Sequence, residues 1–363
     1  MKKLFFIGII IILFFSPRIY WQFKTSYPLD ITIIDKTVPV DDYREHLGLF
    51  WVLTNEKVTK TDGELYTITK DYFGYDPKYN EPMNEYNVNR EVDLIYIADT
   101  YGVYTDDLEE VVDGDRSRKI YGGMEVSEWE AILRSKGENT TLIAEYNSFA
   151  TPTEEHPRSL MEETLSVDWS GWSGRYFDDL TSDEVPQWLI TNYENQYQRE
   201  WPFKGAGLAF VHITDKVIVL DQSQLEEKVL FTLTAEGKEK FPTAHNTDYP
   251  YWFDILTPLN DAVVYAEYDL HLSNMALEEL KQAGIPTTFP AIIHNKENHT
   301  YYFAGDYADY TKDNLMKWQR SDFLMNIFSN DTSNFFWTAY VPIMRVILED
   351  VKALPNINRI ERR

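Results

Sequence analysis

The segment EVDLIYIADTYGVY, Glu91–Tyr104, decides the fold. Within it, Leu94–Ala98 is a short, nearly continuous apolar run bounded by polar residues. Such a run describes a strand buried on both faces. It stops at Asp99, and Asp99–Gly102 reads as the loop leaving its carboxyl end. In open α/β sheets the ligand crevice lies at that end. Asp99 and Tyr101 are therefore the first candidate site residues.

Working outward, DITIIDKTV (Asp30–Val38) is a second apolar strand. The spacing of Tyr43, Leu47, Phe50 and Trp51 predicts a helix over 41–54, with Asp41 or Asp42 as its cap. Lys60–Arg90 is polar, turn-rich and long for a connection, and no element is assigned to it. Ser127 with Glu130 forms a capping box opening a helix over 127–134. TLIAEY (Thr141–Tyr146) is a third buried strand, closed by the loop Asn147–Pro152, and 157–165 is helical. Strand followed by helix, three times between 30 and 165, predicts right-handed crossovers. The fold class expected is α/β: a doubly wound, mostly parallel, flavodoxin-like sheet. Such a sheet brings Asp99, Glu145, Asn147 and Ser148 to one rim.

The middle of the chain, about 166–250, reads as an irregular aromatic-rich insertion. Its oddest stretch is WSGWSGRYFDD, Trp169–Asp179, two W-S-G units three residues apart. It looks like a glycine-freed turn, neither helix nor alternating strand. Trp172, Arg175, Tyr176 and Asp178 are its candidate ligand-contacting residues. The arginine suits a carboxylate or phosphate, and the tryptophan a sugar face. The bland alternative is that the tryptophans plug a sheet edge while Arg175 pairs with a nearby acid. Two short strands around Thr214–Lys216, a strand over 228–233 and another over 261–268 follow. A helix over 273–283 stops at Gly284, PAIIHNKENHTYYFAGD (Pro290–Asp306) is a hairpin, and 334–354 is a final amphipathic helix.

The 363 residues are 44% hydrophobic, enough for a full core. A net charge of −25 argues against a nucleic-acid binder, because phosphate contacts need a basic surface. No cysteine is present, so disulfides, thiolate metal sites and a cysteine nucleophile are excluded. Aromatics make up 15%, which suits either an aromatic core or a sugar-stacking surface. No phosphate-loop, zincin or EF-hand spacing occurs, and no metal or cofactor is expected. Ser148 lacks a G-x-S-x-G context, and none of the seven histidines sits in a recognisable motif.

Met1, Lys2 and Lys3 precede Leu4–Phe15, twelve apolar residues. This is the form of an export signal. Twelve residues span about 18 Å as a helix, short of the roughly 30 Å hydrocarbon core. Extension through Ile19, Tyr20, Trp21 and Phe23 reaches it, with Tyr20 and Trp21 as an interfacial belt. No small-residue cleavage site is evident. The expectation is an uncleaved signal anchor over 1–26 that leaves 27–363 outside the cytoplasmic membrane; the alternative is secretion after cleavage.

The hairpin pattern P-A-x-x … Y-x-F-x-G-D, carried by Pro290, Ala291 and Tyr302–Asp306 together with the Gly122–Gly123 turn and the helix and strand after it, resembles the class I glutamine amidotransferase-like superfamily. It is most similar to the ThuA-like and other non-amidotransferase branches. The resemblance covers roughly 30–170 and 260–350. It implies a flavodoxin-like sheet with a ligand crevice at its strand ends. It does not imply glutaminase activity, because that chemistry needs a cysteine at the elbow occupied here by Asn147–Phe149.

Three readings stand. The first is a membrane-anchored extracytoplasmic domain that binds an envelope glycan or protein without catalysis. The second is a carboxylate-dependent carbohydrate hydrolase or lyase using Glu145 with Asp99 or Asp178. In the third, 166–202 docks the chain into an envelope complex.

Overall fold

The computed structural model describes residues 16, 19–83, 90–109, 117–310 and 335–355. The apolar segment Leu4–Phe15 lies outside them. No described helix is long and apolar enough to cross a membrane.

Fourteen strands form the two main sheets. In chain order they are β1 Ile31–Asp35, β2 Phe73–Asp76, β3 Glu81–Pro82, β4 Leu94–Asp99, β5 Thr141–Glu145, β6 Val167–Phe177 and β7 Gly207–His212. There follow β8 Val217–Asp221, β9 Leu230–Leu233, β10 Thr247–Asp248, β11 Trp252–Pro258, β12 Val263–Asp269, β13 Thr288–Asn295 and β14 Thr300–Phe303. The larger sheet has ten strands in the order β10-β9-β12-β13-β14-β5-β4-β1-β2-β3.

The three strands read first from the sequence are adjacent and parallel. Ile31 pairs with Leu94 and Leu94 with Thr141. Every residue of β1, β4 and β5 is buried, as continuous apolar runs require when both sheet faces are covered. β2 and β14 extend the parallel block on either side. Outside it the sheet is antiparallel: β14 turns back onto β13, which pairs with β12, then β9 and β10. β3 is antiparallel at the far edge. The expected mostly parallel, flavodoxin-like sheet is therefore corrected to a mixed one. The hairpin at Asn295–Thr300 makes the first reversal, and strand direction then alternates at each further pair, β13 with β12, β12 with β9 and β9 with β10.

The region from 166 also differs from expectation. The W-S-G stretch is not a turn but most of β6, an eleven-residue strand. It lies at the centre of a separate antiparallel sheet, β8-β7-β6-β11. Trp169, Gly171, Ser173 and Arg175 alternate with Ser170, Trp172, Gly174 and Tyr176, but the register shifts between Trp169 and Ser173. Gly171 takes φ 82° at that bulge, a conformation favouring glycine. The bulge breaks the period-2 signal in the sequence. The long connection 60–90, given no element, contributes β2 and β3.

Six helices matter below: α1 Arg44–Glu56, α2 Val126–Ser135, α3 Glu155–Leu165, α4 Gln187–Tyr197, α5 Asn274–Ala283 and α6 Val341–Ala353. α5 is capped by the Ser273 hydroxyl, which accepts from Ala276 N, and stops at Gly284 with φ 74°. In α2 the capping box is Glu125 with Glu128, two residues before the expected Ser127 and Glu130. α4 and the small sheet enclose a second core around Phe177, Leu189, Tyr193 and Val219.

Trp21, expected in an interfacial belt, packs on the fold instead. It is 8% exposed, and its Nε1 donates to Asn55 O at 2.9 Å. Lys57 Nζ caps the chain there by donating to Gln22 O and Lys24 O. Ile19, Tyr20 and Phe23 remain exposed.

Candidate functional site

Each of the three central parallel strands ends in an acid: Asp35 closes β1, Asp99 β4 and Glu145 β5. Asp306 follows β14 by three residues. Parallel pairing turns that repeated pattern into one acidic edge. Beside it opens a cleft of about 700 Å³, whose other wall is the β6 sheet. That volume lies within the range of small-ligand sites.

Asp99 is 5% exposed and lines the cleft. Its Oδ1 accepts from Thr37 Oγ1 at 2.6 Å and from Tyr101 N at 2.5 Å. Asn147 Nδ2 donates to its Oδ2 at 3.2 Å. Burial pushes Asp99 up to about 7, the Asp35 charge adds to that, and the three donors oppose it. Asp35 itself is raised by burial, against the pull of His46. The His46 ring sits between Asp35 at Nδ1 and Ile68 O at Nε2. Because a carbonyl only accepts, Nε2 carries a hydrogen and Nδ1 shares a proton with Asp35.

The loop after β14 supplies Asp306 and Asp309. Arg44, at the start of α1, donates through Nε to Asp309 Oδ1 at 2.9 Å and through a second nitrogen to Oδ2. Those bonds hold its guanidinium above its ordinary value. Glu45 Oε2 lies 3.3 Å from Arg44 Nε but accepts no hydrogen bond. Burial raises Glu45 and Asp306 well above the carboxylate range, and the Asp309 charge adds to both.

Aromatic rings also line the cleft. Tyr146 stacks on Trp252 with ring planes 7° apart, and Trp252 on Trp188 at 23°. All three are half-buried cleft residues. Tyr101 and Tyr104 pair at 4.7 Å at another part of the lining. Burial lowers the imidazole of His212, which also lines the cleft.

Of the residues singled out from sequence, Asp99, Tyr101, Asn147 and Arg175 meet at this cleft. Arg175 is already paired with Glu184 and lies over the Phe177 ring. Glu145 does not reach the cleft. It is fully buried beneath it, accepting from Tyr96 Oη, from Tyr307 N at 3.1 Å and from Ala308 N at 3.0 Å. Burial pushes it up to about 8. Ser148 is also fully buried, and its hydroxyl donates to Glu145 O at 2.6 Å. Trp172 packs against His212, Tyr176 lies under Lys228, and Asp178 pairs with Lys228 at 2.8 Å; none of the three lines the cleft. Asp99 is thus not brought to a shared opening with Glu145 or Asp178. Among the described residues, no group of three His, Asp or Glu is arranged to hold a metal ion.

Arg44, Glu45, Asp306, Asp309, Trp188 and Trp252 were not singled out from sequence as site residues. One signal was present for Asp306: ITIID, LIYIAD, TLIAE and YYFAGD all run from apolar strand to acid.

No protein-family profile matches this chain, and no curated protein matches it. Among solved structures it is similar to a ThuA-like protein from Bacteroides uniformis, at 13% identity over 81% of this chain and 91% of that chain, with a TM-score of 0.35. A likeness of that size carries no argument about fold or activity.

Proposed function

We propose that the chain is a membrane-anchored, extracytoplasmic relative of the amidotransferase-like domains that binds an envelope glycan in its strand-end cleft without reacting with it. The observation carrying this reading is the cleft's mixed chemistry. Three stacked rings, Tyr146, Trp252 and Trp188, line the same cleft as the carboxyl groups of Asp99, Asp306 and Glu45. Aromatic faces suit the C–H faces of pyranose rings, and carboxylates accept from sugar hydroxyls. The absence of cysteine removes the family's nucleophile. The apolar run Leu4–Phe15 behind two lysines supports export and anchoring.

The test is calorimetric titration of the full chain in detergent with soluble envelope glycan fragments, wild type against Trp188→Ala. Trp188 sits on the first turn of α4 and is only half-buried, so its loss leaves the main core intact. Binding weakened about tenfold by the substitution is expected, since a fully buried aromatic contact surface is worth about 1.5–3 kcal/mol. Absence of binding to every fragment rejects the reading.

A second reading, a carboxylate-dependent hydrolase or lyase, is favoured by one observation. Asp99, raised to about 7 beside the cleft, holds its proton near neutrality as a general acid must. Its test is release of reducing ends from the same fragments, abolished by Asp99→Asn.

A further inference from the structure

The amino-terminal edge of the fold carries three large apolar side chains that the protein leaves uncovered. Ile19 is 52% exposed, Tyr20 75% and Phe23 83%. All three lie on the helical stretch 19–23. At about 100° per residue they share one side of the helix, and Trp21 points to the other. A lone exposed apolar side chain is ordinary, but three on one face beside a long apolar run mark a contact surface.

The Trp21 side of that stretch is fastened to the fold. Trp21 Nε1 donates to Asn55 O, and Lys57 Nζ lies 4.5 Å from the centre of the Trp21 ring while donating to Gln22 O and Lys24 O. Lys24 pairs with Glu56, which also accepts from Arg345 Nε at 2.7 Å. Tyr27–Pro28 pairs in parallel with Val58–Thr59, and Lys352 Nζ stands 4.3 Å from the centre of the Tyr27 ring. These contacts fix residues 21–28 against the carboxyl end of α1.

The apolar run Leu4–Phe15 ends six residues before Trp21. Six residues reach about 9 Å as a helix and at most about 21 Å fully extended. Even a span that ends at Phe15 therefore brings the fastened edge close to the membrane surface. The cleft lies at the other end of the same elements. Arg44 and Glu45 open α1 and line the cleft, whereas Asn55 and Glu56 close α1 at the fastened edge. Glu45 and Asn55 are about 15 Å apart along the helix axis. β1 starts three residues after Pro28 and runs the other way, to Asp35 in the acidic edge.

Resting on the anchored reading above, we propose that the fold is seated on the outer face of the bilayer through Ile19, Tyr20 and Phe23, with its cleft turned away from the lipid. Tyrosine is enriched at the headgroup level, and Ile19 and Phe23 gain by leaving water there. The cleft then draws its ligand from beyond the headgroups, so an envelope glycan reaches it and a lipid headgroup of the same leaflet does not.

The chain has no cysteine, so a single introduced one is a unique labelling site. A fluorophore is attached to Tyr20→Cys, to Phe23→Cys and to Ile120→Cys, the last exposed beside the cleft residue Lys119. All three side chains are exposed, so the core is untouched. The full chain is placed in phosphatidylethanolamine–phosphatidylglycerol nanodiscs, with and without lipid bearing a nitroxide near its headgroup. The expected result is loss of fluorescence to the nitroxide at the first two sites and none at the third. Loss at the Ile120 site as large as at the Phe23 site overturns the proposal, because the cleft rim then lies on the bilayer. Loss at neither amino-terminal site, in chains that co-purify with nanodiscs, also overturns it and leaves a tethered fold with the anchored reading intact. Failure to enter nanodiscs at all rejects the anchored reading and the proposal with it.

Discussion

Asn147 Nδ2 donates to Asp99 Oδ2 across 3.2 Å, tying the loop after β5 to the carboxyl end of β4. The bond exists because two parallel strands end at the same level, and it makes one acid's ionisation depend on a side-chain amide from the neighbouring strand's loop. Asn147 has φ 67°, a left-handed conformation that asparagine tolerates and alanine does not. Asn147→Gly keeps that backbone and removes only the donor. Asp99 then rises above its value of about 7, measured by carboxyl-carbon NMR titration. An unchanged titration shows that the amide does not hold the anion.

Glu145 predicts a fall in stability with rising pH. A carboxyl that keeps its proton longer in the folded chain than in the unfolded one binds more protons when folded, so stability drops between its two pKa values. For Glu145 that interval runs from about 4.3 to about 8. Asp99, raised to about 7, has the same sign. His294, lowered to about 3 by burial, has the opposite one, but only below its ordinary value of about 6.5. The clean window therefore lies from about pH 6.5 to about 8. Thermal unfolding of the full chain should show Tm decreasing across it, and Glu145→Gln should flatten the decrease. An unchanged slope in that variant assigns the effect elsewhere.

The same residue holds the cleft loop from below. Glu145 Oε2 accepts from Tyr307 N and Ala308 N, the two residues after Asp306. Glu145→Ala orphans both backbone donors, at about 1–3 kcal/mol each, while the Tyr96 hydroxyl keeps its partner Tyr340 Oη at 2.9 Å. Chemical denaturation should give a loss of several kcal/mol for alanine and little for glutamine, whose oxygen still accepts both N–H groups. Equal losses for the two would mean that side-chain volume, not acceptance, is what matters.

Arg44 and Asp309 form the cleft's main ion pair. Asp309 is almost covered, whereas the Arg44 side chain is 49% exposed. Arg44→Met should therefore cost about 1–2 kcal/mol, less than the 3–5 of a fully buried pair. Asp309→Asn in the same chain should recover most of it, because no buried charge is then left alone. Additive losses in urea unfolding of the double variant would show that the two residues do not act as a pair.

The amino terminus gives a localisation test. Expressed in a bacterial host, the full chain should sediment with membranes, resist a salt wash and be released by detergent. Its folded part should be digested by protease added outside spheroplasts. Recovery of a soluble form lacking the first residues on amino-terminal sequencing would instead show cleavage and secretion.

Local residues were sufficient for much of this chain. β1, β4 and β5 could be read because strands buried on both faces must be apolar throughout, and α5 because Ser273 and Gly284 satisfy its ends without help from elsewhere. The meeting of Asp99 with Asn147 followed from parallel pairing alone. The W-S-G stretch was illegible for a definite reason. The bulge at Gly171 interrupts the alternation by which a strand is recognised, and the pairing with β7 and β11 that stabilises β6 comes from segments tens of residues away. The direction of the outer strands was equally non-local, since apolar runs look alike whichever way they pair.

The sequence by itself therefore determined three buried strands, their acid ends and an amino-terminal apolar run, because each depends on the chemistry of neighbouring residues. Only the tertiary structure decided that Glu145 is a buried support and that Arg44, Glu45, Trp188 and Trp252 join Asp99 around one cleft. Burial and cross-chain contact are properties of the packed chain, and they determine which of several identical carboxylates faces water and which faces a backbone amide.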